Sequence, residues 1–178
     1  MLVNRKRKLI ILTPFKNYSS TLEEIFNNSD WEKIYGAHPK IEGENYICED
    51  LYHKHNNIVS EIFLKKYYKV ILPVRNPYER VNSMWKHSKT VFPETNFYDW
   101  FFENSKCACC LPVTRTYRYD HLIRVEFLKE DLDSLDIKID HVPQLNKSIT
   151  IAHEFSSIEK EQIYYLHYED FKNGNYPK

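Results

Sequence analysis

Apolar residues in this chain fall in short runs, each closed by a breaker or a polar cluster. KLIILTP (8–14) ends in proline, KVILPV (69–74) stops before Asn76-Pro77, and HLIRVEFL (121–128) gives way to acidic residues. Runs of that length predict buried strands. NYICEDLY (45–52) is a further strand candidate. Between these runs the pattern becomes helical. SSTLEEIF (19–26) has Ser20 three residues before Glu23, a capping-box spacing, and SSIEKEQIYYLHYEDF (156–171) repeats it with Ser156 and Glu159. IVSEIFLKKYY (58–68) reads as a helix, PYERVNSMWKHS (77–88) as a helix with proline at its first position, and FYDWFF (97–102) as a short aromatic helix. Residues 103–119 follow neither period. Strands alternating with helices predict an α/β fold with a central, mostly parallel sheet flanked by helices.

Composition narrows this picture. A chain of 178 residues supports one sizeable core, and without a repeat or linker it reads as a single domain over 1–178. Only three glycines imply few turns that need a positive φ. Lys plus Arg and Asp plus Glu both number 25, so the formal charge is zero, which excludes a nucleic-acid coat and makes any anion site local. The basic stretch RKRK (5–8) reads first as a solvated strand flank and second as a localisation or phosphate-attracting patch. No apolar run has the roughly 18 residues of a membrane span, and no signal peptide is recognisable, so a cytoplasmic protein is expected. Its cysteines, Cys48, Cys107, Cys109 and Cys110, are then expected to be reduced; C-x-C-C lacks the paired spacing of a zinc site.

Two segments have the form that binds anions at the carboxyl edge of a parallel sheet. TPFKNYSSTL (13–22) runs from a strand through Lys16 and the hydroxyls of Ser19, Ser20 and Thr21 into a helix, although hydroxyls there also serve as an ordinary cap. A Walker loop is excluded, because no glycine lies in this stretch. In the second segment, PVRNPYERVNS (73–83), Arg75 leaves a strand, Asn76-Pro77 turns the chain, and Ser83 lies two helical turns on. An arginine fork and a hydroxyl suit a phosphate. Two such sites imply a nucleotide with a 5′ group and a separate 3′-phosphate.

These residues resemble the sulfotransferases that use 3′-phosphoadenosine 5′-phosphosulfate (PAPS). VRNPYERVNSMW (74–85) is similar to the family's 3′-phosphate motif R-x-P-x-x-R-x-x-S, with Arg75, Pro77, Arg80 and Ser83 in place. The resemblance implies that Arg75 and Ser83 hold the 3′-phosphate and that Arg80 is a structural ion-pair partner. FKNYSSTL (15–22) is the counterpart of the 5′-phosphosulfate loop P-K-x-G-x-T-S-L, with Phe15 where the family has proline and Tyr18 where it has glycine. It implies cofactor contacts from Lys16, Asn17, Tyr18, Ser19, Ser20 and Thr21. YDHLIRVEFLKEDL (119–132), VPQLNKS (142–148) and IYYLHYEDFKNGNY (163–176) resemble, in order, later segments of the carbohydrate-modifying branch, and Lys147 and Ser148 would close over the nucleotide. The family's fold is a P-loop-NTPase-like three-layer sandwich.

The implied reaction moves a sulfuryl group from PAPS to a hydroxyl, of a carbohydrate before a small phenol, and requires no metal. It needs in-line alignment, a base, and a cation near the bridging oxygen. Lys16 is the cation. LYHKHNN (51–57) resembles the segment that carries the catalytic histidine of glycosaminoglycan 2-O-sulfotransferases, which makes His55 the base and His53, on the same face of a strand, the alternate. His38, Glu49 and His87 are weaker candidates. A nucleic acid or membrane partner is not expected. So small a chain would hold its acceptor in an open groove or one shared with a second copy. Two rival readings remain: a catalytically silent nucleotide- or glycan-binding protein, kept open by Tyr18, and a nucleotide kinase-like phosphoryl transferase, which the missing glycine loop disfavours.

Overall fold

A computed structural model describes residues 1–14, 16–27, 30–33, 67–105, 111–143 and 152–178. The candidates Phe15, His38, Glu49, His53, His55, Lys147 and Ser148, the four cysteines, the strand expected at 45–52 and the helix expected at 58–68 lie outside these residues, apart from Tyr67 and Tyr68. Those two belong to neither helix nor strand.

Among the described residues the strands are β1 (Leu2–Asn4), β2 (Leu9–Ile11), β3 (Glu32–Lys33), β4 (Lys69–Val74) and β5 (His121–Arg124). They form one sheet in the order β3-β1-β2-β4-β5. β2, β4 and β5 are parallel, whereas β1 runs antiparallel to both β2 and β3. The sheet is mostly parallel, as expected, and mixed only through β1, the one strand of the five that runs against the others. RKRK is the solvated strand flank expected, exposed throughout, and it flanks two strands as the turn of the β1–β2 hairpin. Arg5 Nε bonds Glu32 Oε2 at 2.8 Å, and the Arg7 amide donates to Asn4 Oδ1 at 2.8 Å. The Arg7 guanidinium donates to the carbonyls of Asp136 at 2.9 Å and Leu135 at 3.2 Å. A three-residue strand is below the length at which alternation can be read, so β1 escaped the sequence pattern.

Alternation sorts the strand residues onto two covered faces. Leu2, Ile11, Ile71 and Ile123 pack against Leu22 and Phe26 beside α1 (Ser19–Ile25) and Leu128 and Leu132 of α5 (Leu128–Ser134). Val3, Ile10, Val70, Leu72 and Val74 face the other way, toward Val113 of α4 (Val113–Thr116) and the rings of Tyr117, Tyr119 and Tyr176. A third apolar cluster joins α2 (Pro77–Val91), α3 (Phe97–Asn104), α6 (Ser157–Leu166) and α7 (Tyr168–Gly174) through Val81, Trp85, Phe97, Trp100, Ile163 and Phe171.

Local signals explain most boundaries. Pro77 opens α2, and the Asn76 side chain caps it by accepting from the amides of Tyr78 and Glu79. Ser156 and Glu159 form a reciprocal capping box on α6. The expected box at Ser20 and Glu23 does not form: Tyr18 is the cap residue, no side chain caps the helix, and Glu23 pairs with Lys33 instead. The strand expected to reach residue 128 stops at Arg124, because Asp131 takes the Arg124 amide at 2.6 Å and a 3₁₀ turn follows. The helix expected over 156–171 breaks at the buried His167. Among the described residues no helix is long and apolar enough to cross a membrane.

Candidate anion site

β2 and β4 are neighbouring parallel strands, Ile11 opposite Ile71, so the segments that leave their carboxyl ends emerge side by side. Leu12 extends the ladder by one bond to Ile71 at 3.0 Å, after which Thr13-Pro14 turns the chain and the Asn17 amide closes back on the Pro14 carbonyl at 3.2 Å. Lys16 and Tyr18 then both adopt left-handed backbone, with φ of 59° and 61°. Alternation of left- and right-handed residues turns successive amides to one side and makes a concavity for anions. Tyr18, at the position where glycine was to be expected, thus takes the dihedral that glycine adopts without strain.

The two segments meet. The Arg75 guanidinium carbon lies 5.9 Å from the centre of the Tyr18 ring. Burial first, and the Arg75 charge second, together lower the Lys16 ammonium pKa to about 8. Two cations are therefore held within electrostatic reach of one another. Arg75, 21% exposed, is 3.5 Å from Glu79. Ser83, half-buried, sits one turn beyond Glu79 on the same helical face. Ser19 and Thr21 are buried and Ser20 is half-buried. Asn17 is fully buried, and neither its side-chain nitrogen Nδ2 nor its side-chain oxygen Oδ1 has a hydrogen-bond partner. Buried polar groups are seldom left so.

Arg80, expected to be structural, is buried, donates to the Leu111 carbonyl at 2.9 Å and lies 3.8 Å from Asp170. Asp170 accepts the amides of Val113 at 3.0 Å and Thr114 at 2.9 Å and the Thr114 hydroxyl at 2.8 Å. Burial pushes the Asp170 carboxyl up, but His167, Arg80 and the Thr114 amide outweigh it and hold the group below its ordinary range. Burial keeps His167 neutral, its pKa depressed. This network ties α2, α4 and α7 together beneath the Arg75 turn. His87 is half-buried within α2, which runs to Val91, and is not at the helix end.

Sequence reasoning missed two residues of the site. Glu126 accepts the Asn76 amide at 2.8 Å, and the Tyr176 hydroxyl donates to the other oxygen of Glu126 at 2.6 Å. Both stood in segments already singled out, but nothing in their spacing shows that they converge on residue 76. Comparison of the chain with family models, with curated proteins and with solved structures finds no match in any of the three.

Proposed function

We propose that this protein is a PAPS-dependent sulfotransferase, built on a P-loop-NTPase-like three-layer sandwich and acting on a carbohydrate hydroxyl. The observation that carries the reading is the meeting of the Lys16–Tyr18 loop with Arg75 at the carboxyl edge of β2 and β4. An arginine with a neighbouring helical hydroxyl fits a 3′-phosphate, and a half-buried lysine in a turn with two left-handed residues fits a 5′-phosphosulfate. The orphaned Asn17 amide fits the same assignment, since it offers a donor to anionic oxygen.

In this reading Arg75 and Ser83 bind the 3′-phosphate, while Lys16 neutralises charge that builds on the leaving phosphate as the S–O bond breaks. PAPS supplies the sulfuryl group. His55 takes the proton of the acceptor hydroxyl, with His53 as the alternate; Lys147 and Ser148 close over the nucleotide. The cytoplasmic setting expected from the sequence belongs to the same proposal.

Calorimetric titration with 3′,5′-ADP, against 5′-AMP and ATP and without magnesium, tests the site. Binding that depends on the 3′-phosphate supports it; no binding, or equal binding of 5′-AMP, removes its main support. His55→Ala is then expected to abolish transfer with affinity nearly intact, whereas Arg75→Ala weakens the affinity itself. A second reading, a binding protein without turnover, draws on the Tyr18 ring beside Arg75. Binding of 3′,5′-ADP with no consumption of PAPS across a panel of acceptors would favour it.

A further inference from the structure

We propose that Tyr176 is a positioning residue for the 3′-phosphate, acting through Glu126 on the turn that carries Arg75. The inference rests on the nucleotide reading above and adds to it a part for the far end of the chain. Asn76 is the cap residue of α2, so its amide lies outside the helical ladder and needs another acceptor. Glu126 Oε1 is that acceptor, at 2.8 Å. Tyr176 holds the other carboxylate oxygen at 2.6 Å, and its hydroxyl lies 3.1 Å from the Val74 carbonyl. The residues on both sides of Arg75 are thereby fixed by one hydroxyl and one carboxylate.

The last residues are shaped to deliver that hydroxyl. Asn175 takes a left-handed φ of 54°, and the Tyr176 amide returns to the Phe171 carbonyl at 2.9 Å. The ring then lies over Gly174, where a Cβ atom would stand 2.3 Å from Tyr176 Cε2. Only glycine fits beneath the ring, so the fold gives up a side chain to place this tyrosine.

A carboxylate beside a phosphate site is otherwise adverse, since it repels the ligand and competes for the arginine. Glu126 is tolerable there because both of its oxygens are engaged, one by an amide and one by Tyr176. Losing the phenol frees Glu126 to turn toward Arg75. Tyr176→Phe keeps the ring and its packing and removes only the hydroxyl. Adding Glu126→Gln to it removes the competing charge but leaves a carbonyl oxygen for the Asn76 amide.

Calorimetry with 3′,5′-ADP and 5′-AMP separates the outcomes. Tyr176→Phe is expected to weaken 3′,5′-ADP about tenfold, the size of one hydrogen bond to a charged group, and to leave 5′-AMP unchanged. Tyr176→Phe with Glu126→Gln is expected to recover most of that loss, which a merely structural role would not allow. Unchanged 3′,5′-ADP affinity in Tyr176→Phe, equal loss for both nucleotides, or no recovery in the double variant overturns the proposal. If the unaltered protein does not distinguish the nucleotides, the functional reading fails by itself. The brace is then read from amide exchange at Asn76, expected to quicken in Tyr176→Phe; unchanged exchange overturns it.

Discussion

Asn17→Leu isolates the cost of the buried Asn17 side chain in the candidate anion loop. Asn17 is fully buried, with both ends of its amide unpartnered, so the empty protein bears the desolvation of a donor and an acceptor without return. Mutational experience puts an unsatisfied buried polar group at about 1–3 kcal/mol, and replacement by an apolar group of similar shape removes that term. Asn17 does not share the positive φ of Lys16 and Tyr18, so leucine meets no backbone penalty. The variant is therefore expected to be more stable than the parent by about 1–3 kcal/mol, less whatever its extra bulk costs. In a domain of this size 1 kcal/mol moves Tm by roughly 2–4 °C.

The functional half of the prediction has the opposite sign. If the amide is kept for the ligand, 3′,5′-ADP should raise the Tm of the parent more than that of Asn17→Leu, because mass action scales with affinity. Thermal denaturation with and without the nucleotide, followed by circular dichroism, reads both effects in one experiment. A fall in the Tm of the free variant would refute the reasoning, since it would mean that the amide contributes to the empty fold. An undiminished ligand shift would refute the link to binding.

Lys16 predicts a pH profile. Its ammonium pKa is lowered to about 8 and an anion selects the charged form, so affinity for 3′,5′-ADP should fall up to tenfold per unit above about pH 8, a slope that Lys16→Met abolishes. The phosphates, with a second pKa near 6, are already ionised there and add no slope of their own. His167 predicts a stability profile: its folded pKa lies below the ordinary 6.5, so its contribution is complete above pH 6.5 and is lost as pH falls through the folded value. The urea midpoint should drop on acidification from about pH 6.5, and less steeply in His167→Gln. Gly174→Ala should displace the Tyr176 ring and cost about 1–3 kcal/mol, seen as a lower urea midpoint together with weaker 3′,5′-ADP binding.

How far the sequence was legible follows from the range of each signal. Several local signals held. Asn76-Pro77 set the start of α2, Ser156 and Glu159 set the start of α6, and the apolar run 69–74 is β4 residue for residue. The sequence singled out Arg75 and the Lys16 loop because the polar groups of each segment lie within a few residues, and the structure sets the two segments side by side. Signals that depend on partners distant in sequence were not readable. Glu126 is fifty residues from the amide it accepts and Tyr176 fifty from Glu126, and the box at Ser20 yielded to a pairing of Glu23 with Lys33. The β1–β2 hairpin was missed because RKRK was read as the flank of one strand, and its partners, Glu32, Leu135 and Asp136, are distant in sequence.

The glycine count misled in a way that bears on the site. Three glycines implied few left-handed turns, yet among the described residues Lys8, Lys16, Tyr18, Asp136 and Asn175 all take positive φ, while Gly174 lies in a helix beneath a ring. An L-residue held left-handed costs about 1 kcal/mol or more, so each must be fixed by its surroundings. The contacts are visible: the Lys8 ammonium lies 5.6 Å from the Tyr67 ring, the Asp136 carbonyl accepts from Arg7, and the Tyr18 ring lies beside Arg75. In the anion loop this has a functional corollary. A glycine at position 18 would leave the loop free to sample many shapes when empty, and a ligand would bear the entropy of ordering it. On the nucleotide reading, Tyr18 beside Arg75 would keep the loop formed in advance of the ligand. Tyr18→Gly should therefore relieve backbone strain yet weaken nucleotide binding; if affinity rises instead, the tyrosine obstructs the site and the reading without turnover gains the advantage.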